Sequence, residues 1–361
     1  MPAPKIAAAR LLAFNILRKV DAGGYASDLL LTQSASLDSR DAGLAAELVF
    51  GVLRYRAQLD FLIDHYAGKP RKLDIEVRLA LRLGIYQLRY LERIPAHAAV
   101  KESVELVKHA RKTSAASFVN AILRQVDRDP IAWPTREIEL SCPEWLLARW
   151  EATYGSESAA AIARAALIEP EKYVRISPAG DRTQDIGSQS IVPLLDLAAG
   201  QRFLDLCAAP GNKTAQALEV GVATIACDLH FHRLVQMKPL TPNLVVLDGA
   251  APLPFSRPFD RILVDAPCSG TGTLARNPEI KWRLTPNDLA DLTSRQSALL
   301  DRALDALAPG GLLVYSTCSL ETEENEGVIS RVPERRIVQK MQRLPGRDAG
   351  DGFFASVIKS D

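Results

Sequence analysis

The 361-residue chain lacks any run of 18 uncharged apolar residues, so no membrane span is expected. It has only five cysteines, Cys142, Cys207, Cys227, Cys268 and Cys318, an odd number with no Cys-x-x-Cys pair. That pattern argues against a disulfide framework and against a zinc site, and predicts free thiols and no metal. Neither Gly-x-Gly-x-x-Gly nor Gly-x4-Gly-Lys-Ser/Thr occurs, which removes the dinucleotide and P-loop fingerprints. The early cations Lys5, Arg10, Arg18 and Lys19 are scattered, not grouped before an apolar core. A secretory signal is therefore not expected, and the cytoplasm is the expected location. Net charge is only +1, but it is unevenly spread. Residues 1–130 hold 20 Lys/Arg against 14 Asp/Glu, and the remainder holds 24 against 29. A basic front part suits a polyanionic partner, although a solvated helical surface explains so small an excess equally well.

What is present is ordinary globular composition, 47% hydrophobic and 24% charged, at a length that predicts two or three domains. Residues 4–128 carry apolar residues at spacings of three and four, as in Leu11, Leu12, Phe14 and Ile16, and in Val77, Leu81, Ile85 and Leu88. This predicts an all-α domain over 1–130, punctuated at Gly23-Gly24 and at Gly68-Lys69-Pro70. Pro130, Trp133 and Pro134 mark a linker, and helices are expected near 143–153 and 156–168. After Asp185 the pattern changes to short apolar runs at 203–206, 224–226, 244–247, 261–264 and 312–315, mostly with helical stretches between. That alternation predicts an α/β domain over 185–361, with a parallel sheet and helices on both faces.

The chemistry is expected at strand ends. In FLDLCAAPGNKT (203–214) a buried strand runs into a turn of small residues and then a helix, so backbone amides can approach a ligand. Cys207, Ala208, Ala209, Pro210, Gly211, Asn212 and Lys213 are the candidate contacts. Asp228, Asp248 and Asp265 each follow a strand. Any one alone is explained as a cap on the next helix; three in register behind the turn favour an adenosine-type ligand. DAPCSGTGT (265–273) and YSTCS (315–319) each put a cysteine just past a strand end, so Cys268 and Cys318 are expected to share the crevice with Asp265. An isolated cysteine is usually inert packing, which is how Cys142 and Cys227 read.

A thiol beside a methyl donor solves a specific problem. Carbon 5 of cytosine is a poor nucleophile, and a thiolate adding to carbon 6 makes the ring an enamine reactive at carbon 5. Cysteine attacks well and departs well. Asp265, if protonated or sharing a proton with the ring edge, is expected to stabilise nitrogen 3 as charge develops. These considerations leave open which of the two cysteines attacks.

At these residues the sequence resembles the Sun (Fmu-type) family of RNA cytosine-5 methyltransferases. The matching stretches are QDIGSQ (184–189), LDLCAAPGNKT (204–214), Asp228, Asp248, DAPCSGTGTLARNPEIKWR (265–283), YSTCSLETEENE (315–326) and GFF (352–354). The resemblance implies a Rossmann-like class I methyltransferase domain binding S-adenosylmethionine through Cys207–Lys213, Asp228, Asp248 and Asp265. It implies Cys318 as the nucleophile, Cys268 as an aid to product release, and Lys213 and Asp265 near donor and base. Residues 1–130, notably 81–108 and 118–124, resemble the NusB-type helical RNA-binding domain. The implied partner is RNA, most of all 16S ribosomal RNA, with the cytosine unpaired or flipped out of its helix.

The sequence departs from that pattern at three places. Asn212 stands where a second glycine is usual, and an Asn tolerant of left-handed backbone is the expected substitute. Only 13 residues separate Pro170 from Gln184, so the recognition subdomain of 131–184 is expected to be shortened. The segment 233–242 is also short, so its helix is expected to be clipped. Two other readings compete: an RNA-binding adaptor with a degenerate methyltransferase fold, which both cysteine motifs oppose, and an exocyclic-nitrogen methyltransferase, whose polar-Pro-Pro-aromatic turn is absent. Candidate phosphate contacts are Arg10, Arg54, Arg56, Arg71, Lys72, Arg111 and Lys112. His97, His109 and Trp282 are expected to be structural or solvated.

Overall fold

The computed structural model describes residues 6–69, 72–178 and 180–360. Arg71 and Pro70 lie outside them. Within that range the apolar spacing of the front part builds seven α-helices: α1 (Ala8–Asp21), α2 (Ala26–Gln33), α3 (Ser39–Arg54), α4 (Arg56–Ala67), α5 (Ile75–Tyr90), α6 (Ala96–His109) and α7 (Ala116–Leu123). In α5, Val77, Leu79, Ala80, Leu81, Leu83, Ile85 and Tyr86 are all buried, together with Arg82 and Gln87, so the helix is buried on most of its faces and forms the centre of the bundle. Phe14, Ile16 and Leu17 of α1 and Leu48, Val49 and Val52 of α3 complete that core. Each such side chain contributes roughly 1.5–3 kcal/mol on burial. The Asp38 carboxylate accepts the Asp41 N–H at 2.8 Å and starts α3.

This helical unit runs on to Ala148 and takes in Ala166–Ile168 and Ala275–Arg283. The last segment, the second half of the 265–283 motif, is held tightly within it. Arg54 donates to the Ala275 carbonyl at 3.0 Å, Glu279 accepts the Ala26 N–H at 2.9 Å, and Trp282 Nε1 donates to the Leu53 carbonyl at 2.7 Å. Trp282 is thus structural.

Three expected phosphate contacts are instead spent inside the unit. Arg10 is buried and bonds Gln87 at 2.6 Å and Glu102 at 2.9 Å. Arg54 is buried beneath the Ala275 carbonyl. Arg56 stacks 5.5 Å above the Trp282 ring and pairs with Asp21 at 3.5 Å. Lys112 bridges to Asp74 at 2.8 Å, whereas Lys72, Arg111, His97 and His109 are exposed. Sequence alone shows a cation's position on the chain but not the carbonyl or carboxylate that folding brings to it.

The second unit comprises Arg149–Ala165, Glu169–Leu274 and Leu284–Asp361. Its sheet strands are β1 (Arg202–Asp205), β2 (Ala223–Asp228), β3 (Leu244–Val246), β4 (Phe259–Asp265), β5 (Leu307–Thr317), β6 (Ile337–Arg343) and β7 (Phe353–Lys359). They lie in the order β3-β2-β1-β4-β5-β7-β6. The first five are parallel, with Leu204 of β1 between Ile225 of β2 and Ile262 of β4. β7 runs antiparallel to both β5 and β6. The parallel sheet expected from sequence is formed by the first five strands, and β6 and β7 add an antiparallel edge to it. β6 (IVQKMQR) is a polar edge strand, half exposed, so it carries no apolar run.

Strand order reverses at β1 and β4, where open α/β sheets form their binding crevice. The helix Pro286–Asp305 starts at a capping box between Thr285 and Asp288, with Pro286 in its first turn. Between Pro170 and Gln184 the chain makes only a two-residue hairpin, Val174–Arg175 against Arg182–Thr183. Arg175 fastens it to Glu219 at 2.7 Å. The connection after β2 is one short helix, Phe231–Leu234, and a 3-10 turn, Val235–Met237.

Candidate active site

β1 ends at Asp205, and the chain turns through Leu206-Cys207-Ala208-Ala209-Pro210-Gly211 into the helix Asn212–Leu218. Gly211 has φ +102°, so the turn places its left-handed residue there. Asn212 is not the left-handed residue expected from sequence; it is the first helical residue, a position that accepts Asn without strain. Asp205 is buried, with one oxygen accepting the Thr214 hydroxyl at 2.6 Å and the other unpartnered. Burial outweighs that hydrogen bond and pushes its carboxyl up to about 7. Burial, with Asp205 and Asp265 nearby, also drives the Cys207 thiol well up, which keeps it unreactive in the turn.

The carboxylates divide. Asp228, at the end of β2, accepts the N–H of Ala209 at 3.2 Å and of His230 at 2.9 Å, so it braces the turn while facing the cleft. Asp265, at the end of β4, accepts Lys213 Nζ at 2.6 Å on one oxygen and the Ser316 hydroxyl at 2.8 Å on the other. Lys213 also lies 5.2 Å over the Phe353 ring. Asp248 is exposed and accepts the Ala250 N–H at 3.0 Å. At that point the cleft is lined by Leu247 and Gly249, so the Asp248 side chain is not among the groups brought together.

Cys268 and Cys318 meet. Their sulfurs are 3.4 Å apart, and both line a cleft of about 260 Å³ with Cys207, Ala209, Asp228 and Asp265. The two loops are fastened to each other through Gly272, whose N–H donates to the Cys318 carbonyl at 2.8 Å and whose carbonyl accepts the Gly352 N–H at 2.8 Å. A Cβ on Gly272 would lie 2.3 Å from the Gly352 oxygen, which explains the glycine. Contact with the Cys318 sulfur, then burial and the Glu324 charge, hold the Cys268 thiol well above its usual range.

Sequence reasoning missed Arg233 and Arg295 on the cleft wall, and Ser316 and Glu324 behind it. Ser316 and Glu324 lie inside the YSTCSLETEENE stretch, so proximity to the cysteine was a usable signal. Arg295 sits mid-helix with no local cue. Among the described residues no group of three or more His, Cys, Asp or Glu could hold a metal ion. Among them, no helix is long and apolar enough to cross a membrane.

The profile described as 16S rRNA methyltransferase RsmB/F matches residues 192–359, and that of the NusB family matches residues 7–128. A probable ribosomal RNA small subunit methyltransferase B of Bacillus subtilis is 32% identical over 434 positions, covering 96% of this chain and 97% of the relative. Ribosomal RNA small subunit methyltransferase B of Citrobacter koseri is 32% identical over 421 positions, covering 97% and 98%. An alignment of 434 positions that includes 96% of a 361-residue chain leaves several tens of positions of the Bacillus relative without a counterpart. The solved structure of the protein PH0851 superposes with TM-score 0.78 at 18% identity, covering 99% of this chain and 100% of that one, which bears on the fold.

Proposed function

This chain belongs to the 16S rRNA methyltransferase RsmB/F family with a NusB-family helical domain, and from that membership we propose that it methylates carbon 5 of a cytosine in small-subunit ribosomal RNA. S-adenosylmethionine is the donor, and it supplies an electrophilic methyl group. The residues present suit it: a turn of small side chains, a carboxylate after β2 with lone pairs to spare, and a free buried oxygen on Asp205. The turn residues from Cys207 to Lys213, with Asp228 and Asp265, would hold it. Asp248 would reach it only from the rim.

The observation that carries this reading is the pair of sulfurs 3.4 Å apart on the cleft wall beside Asp265. The Cys318 thiolate adds to carbon 6, forming a C–S bond and moving the ring electrons toward nitrogen 3. Asp265, held by Lys213 and Ser316, meets that edge of the base, and a proton shared between its carboxyl group and nitrogen 3 neutralises the charge there and returns when the ring double bond re-forms. Carbon 5 then takes the methyl group. Its proton leaves to a base, the double bond re-forms, and Cys318 departs as thiolate. Cys268, whose sulfur touches that of Cys318, assists the release. A cleft of this kind admits a base only when it is unpaired or flipped out.

The test uses labelled donor and small-subunit ribosomal RNA from cells lacking this gene, with the product mapped by nucleoside mass spectrometry. 5-Methylcytidine at one site is expected. No transfer, or a methyl group on another atom, contradicts the proposal. Cys268→Ala should let the adduct form but resolve slowly, so a covalent protein–RNA band accumulates; the reverse behaviour of Cys318→Ala and Cys268→Ala would exchange the two roles.

A further inference from the structure

Behind the two thiols lies a carboxylate that the chemistry above does not use. Glu324 is 0% exposed. One of its oxygens accepts the Ser269 N–H at 2.8 Å and Gln296 Nε2 at 2.8 Å. The other accepts the hydroxyls of Ser269 and Ser319, each at 2.5 Å. Its own carbonyl accepts the Tyr315 hydroxyl at 2.6 Å. Ser269 directly follows Cys268, and Ser319 directly follows Cys318. The two serine hydroxyls are themselves 3.0 Å apart. No Lys or Arg pairs with this carboxylate among the described residues, so its charge is balanced by hydrogen bonds alone.

A buried carboxylate is tolerated when its lone-pair sites are filled. Here four donors fill them, and they come from three segments: the Cys268 loop, the Cys318 loop and the helix Pro286–Asp305. Charge-assisted hydrogen bonds of this kind are short and directional. They fix the residue after each cysteine to one common point.

From this geometry we infer that Glu324 is a positioning residue, a clamp that holds the Cys268 and Cys318 loops so that their sulfurs meet at the cleft. The inference rests on the reading of these cysteines as the reacting pair, but its test does not need RNA. A Gln side chain at 324 keeps the shape but not the charge: its oxygen can still accept the Ser269 N–H and Gln296, while its amide can only donate to the two hydroxyls, so the charge-assisted bonds that draw Ser269 and Ser319 to one point are lost.

The measurement is the rate at which diamide, a two-electron thiol oxidant, closes a Cys268–Cys318 disulfide. Each sulfur loses its hydrogen to the diazene, which becomes the hydrazine, and peptide mass spectrometry reads the bond. The wild-type protein is expected to close it rapidly. Glu324→Gln should slow closure by about tenfold or more, as misplacement of reacting atoms does. It should lower kcat for methyl transfer to a similar degree, with donor Kd and RNA KM unchanged. Wild-type closure rates in Glu324→Gln overturn the clamp. If that variant fails to fold, Ser269→Ala and Ser319→Ala each remove one anchor; slower closure in either supports the clamp, and wild-type rates in both overturn it. A wild-type protein that closes the disulfide rapidly yet methylates no cytosine would contradict the functional proposal and leave the clamp standing.

Discussion

Each unit buries an ionisable group, and the two groups are put to opposite use. In the helical unit Lys281 is 1% exposed, with the Arg54 carbonyl 3.1 Å from its amine and the Trp282 ring 5.2 Å away. In the sheet unit Asp205 is equally buried but lies among Asp228, Asp265 and Lys213, at the turn that opens the cleft. Lys281 and Arg54 join helices to the 275–283 segment. Asp205, Asp228, Asp265 and Glu324 are gathered where the strands end. Buried Lys281 holds structure together, whereas buried Asp205 lies beside the residues proposed to react. The two uses predict different failures.

The largest effect expected is on chemistry without stability. Cys318→Ala should reduce methyl transfer by on the order of a thousandfold or more, as loss of a covalent nucleophile does. Its donor affinity, by calorimetric titration, and its unfolding midpoint should stay near wild type. An active Cys318→Ala protein would break the contrast at once.

Next comes the acid. The folded pKa of Asp205 is raised from 3.8 to about 7 by burial, so between those values the folded chain keeps a proton that the unfolded chain has lost. Stability should therefore fall as pH rises through that window, by about 4 kcal/mol from this group. Asp205→Asn should flatten the slope in urea titrations at pH 4 to 7. An unchanged slope contradicts the assignment.

The base has the opposite sign. Burial lowers the folded pKa of Lys281 from 10.5 to about 8, so between these values the unfolded chain holds the extra proton. Stability should rise with pH across that window, by about 3 kcal/mol. Lys281→Met should remove this rise while leaving the Asp205 window intact. If one substitution flattens both windows, the two groups are coupled and the contrast fails. The smallest effect is packing at the loops: Gly272→Ala drives a methyl against the Gly352 carbonyl, and should cost about 1–3 kcal/mol by denaturant midpoint. A neutral substitution would mean that the loops part easily.

Much of this was legible in the sequence, for identifiable reasons. Helical periodicity survives folding unchanged, so α1, α3 and α5 could be read directly. Cys268, Cys318 and Asp265 each follow an apolar run that becomes a strand, and strand ends of a parallel sheet converge. Asp248 obeys the same rule on paper, yet it turns outward because its oxygen caps the Ala250 N–H. The polar edge strand β6 gave no hydrophobic signal. Asn212 was misjudged because the position that needs left-handed backbone is one residue earlier. Arg10 and Arg54 looked like phosphate ligands because their partners, Glu102 and the Ala275 carbonyl, lie 92 and 221 residues away in sequence. Long-range pairing of this kind is invisible to periodicity.

The claim that Cys318 bonds carbon 6 of a cytosine can be tested with a ribosomal RNA fragment carrying 5-fluorocytidine at the modified site. Fluorine cannot leave as the proton does, so the adduct should persist after methyl transfer. The account predicts a donor-dependent covalent complex whose linked peptide contains Cys318. A crosslink mapped to Cys268, or none with donor and RNA both bound, would contradict it.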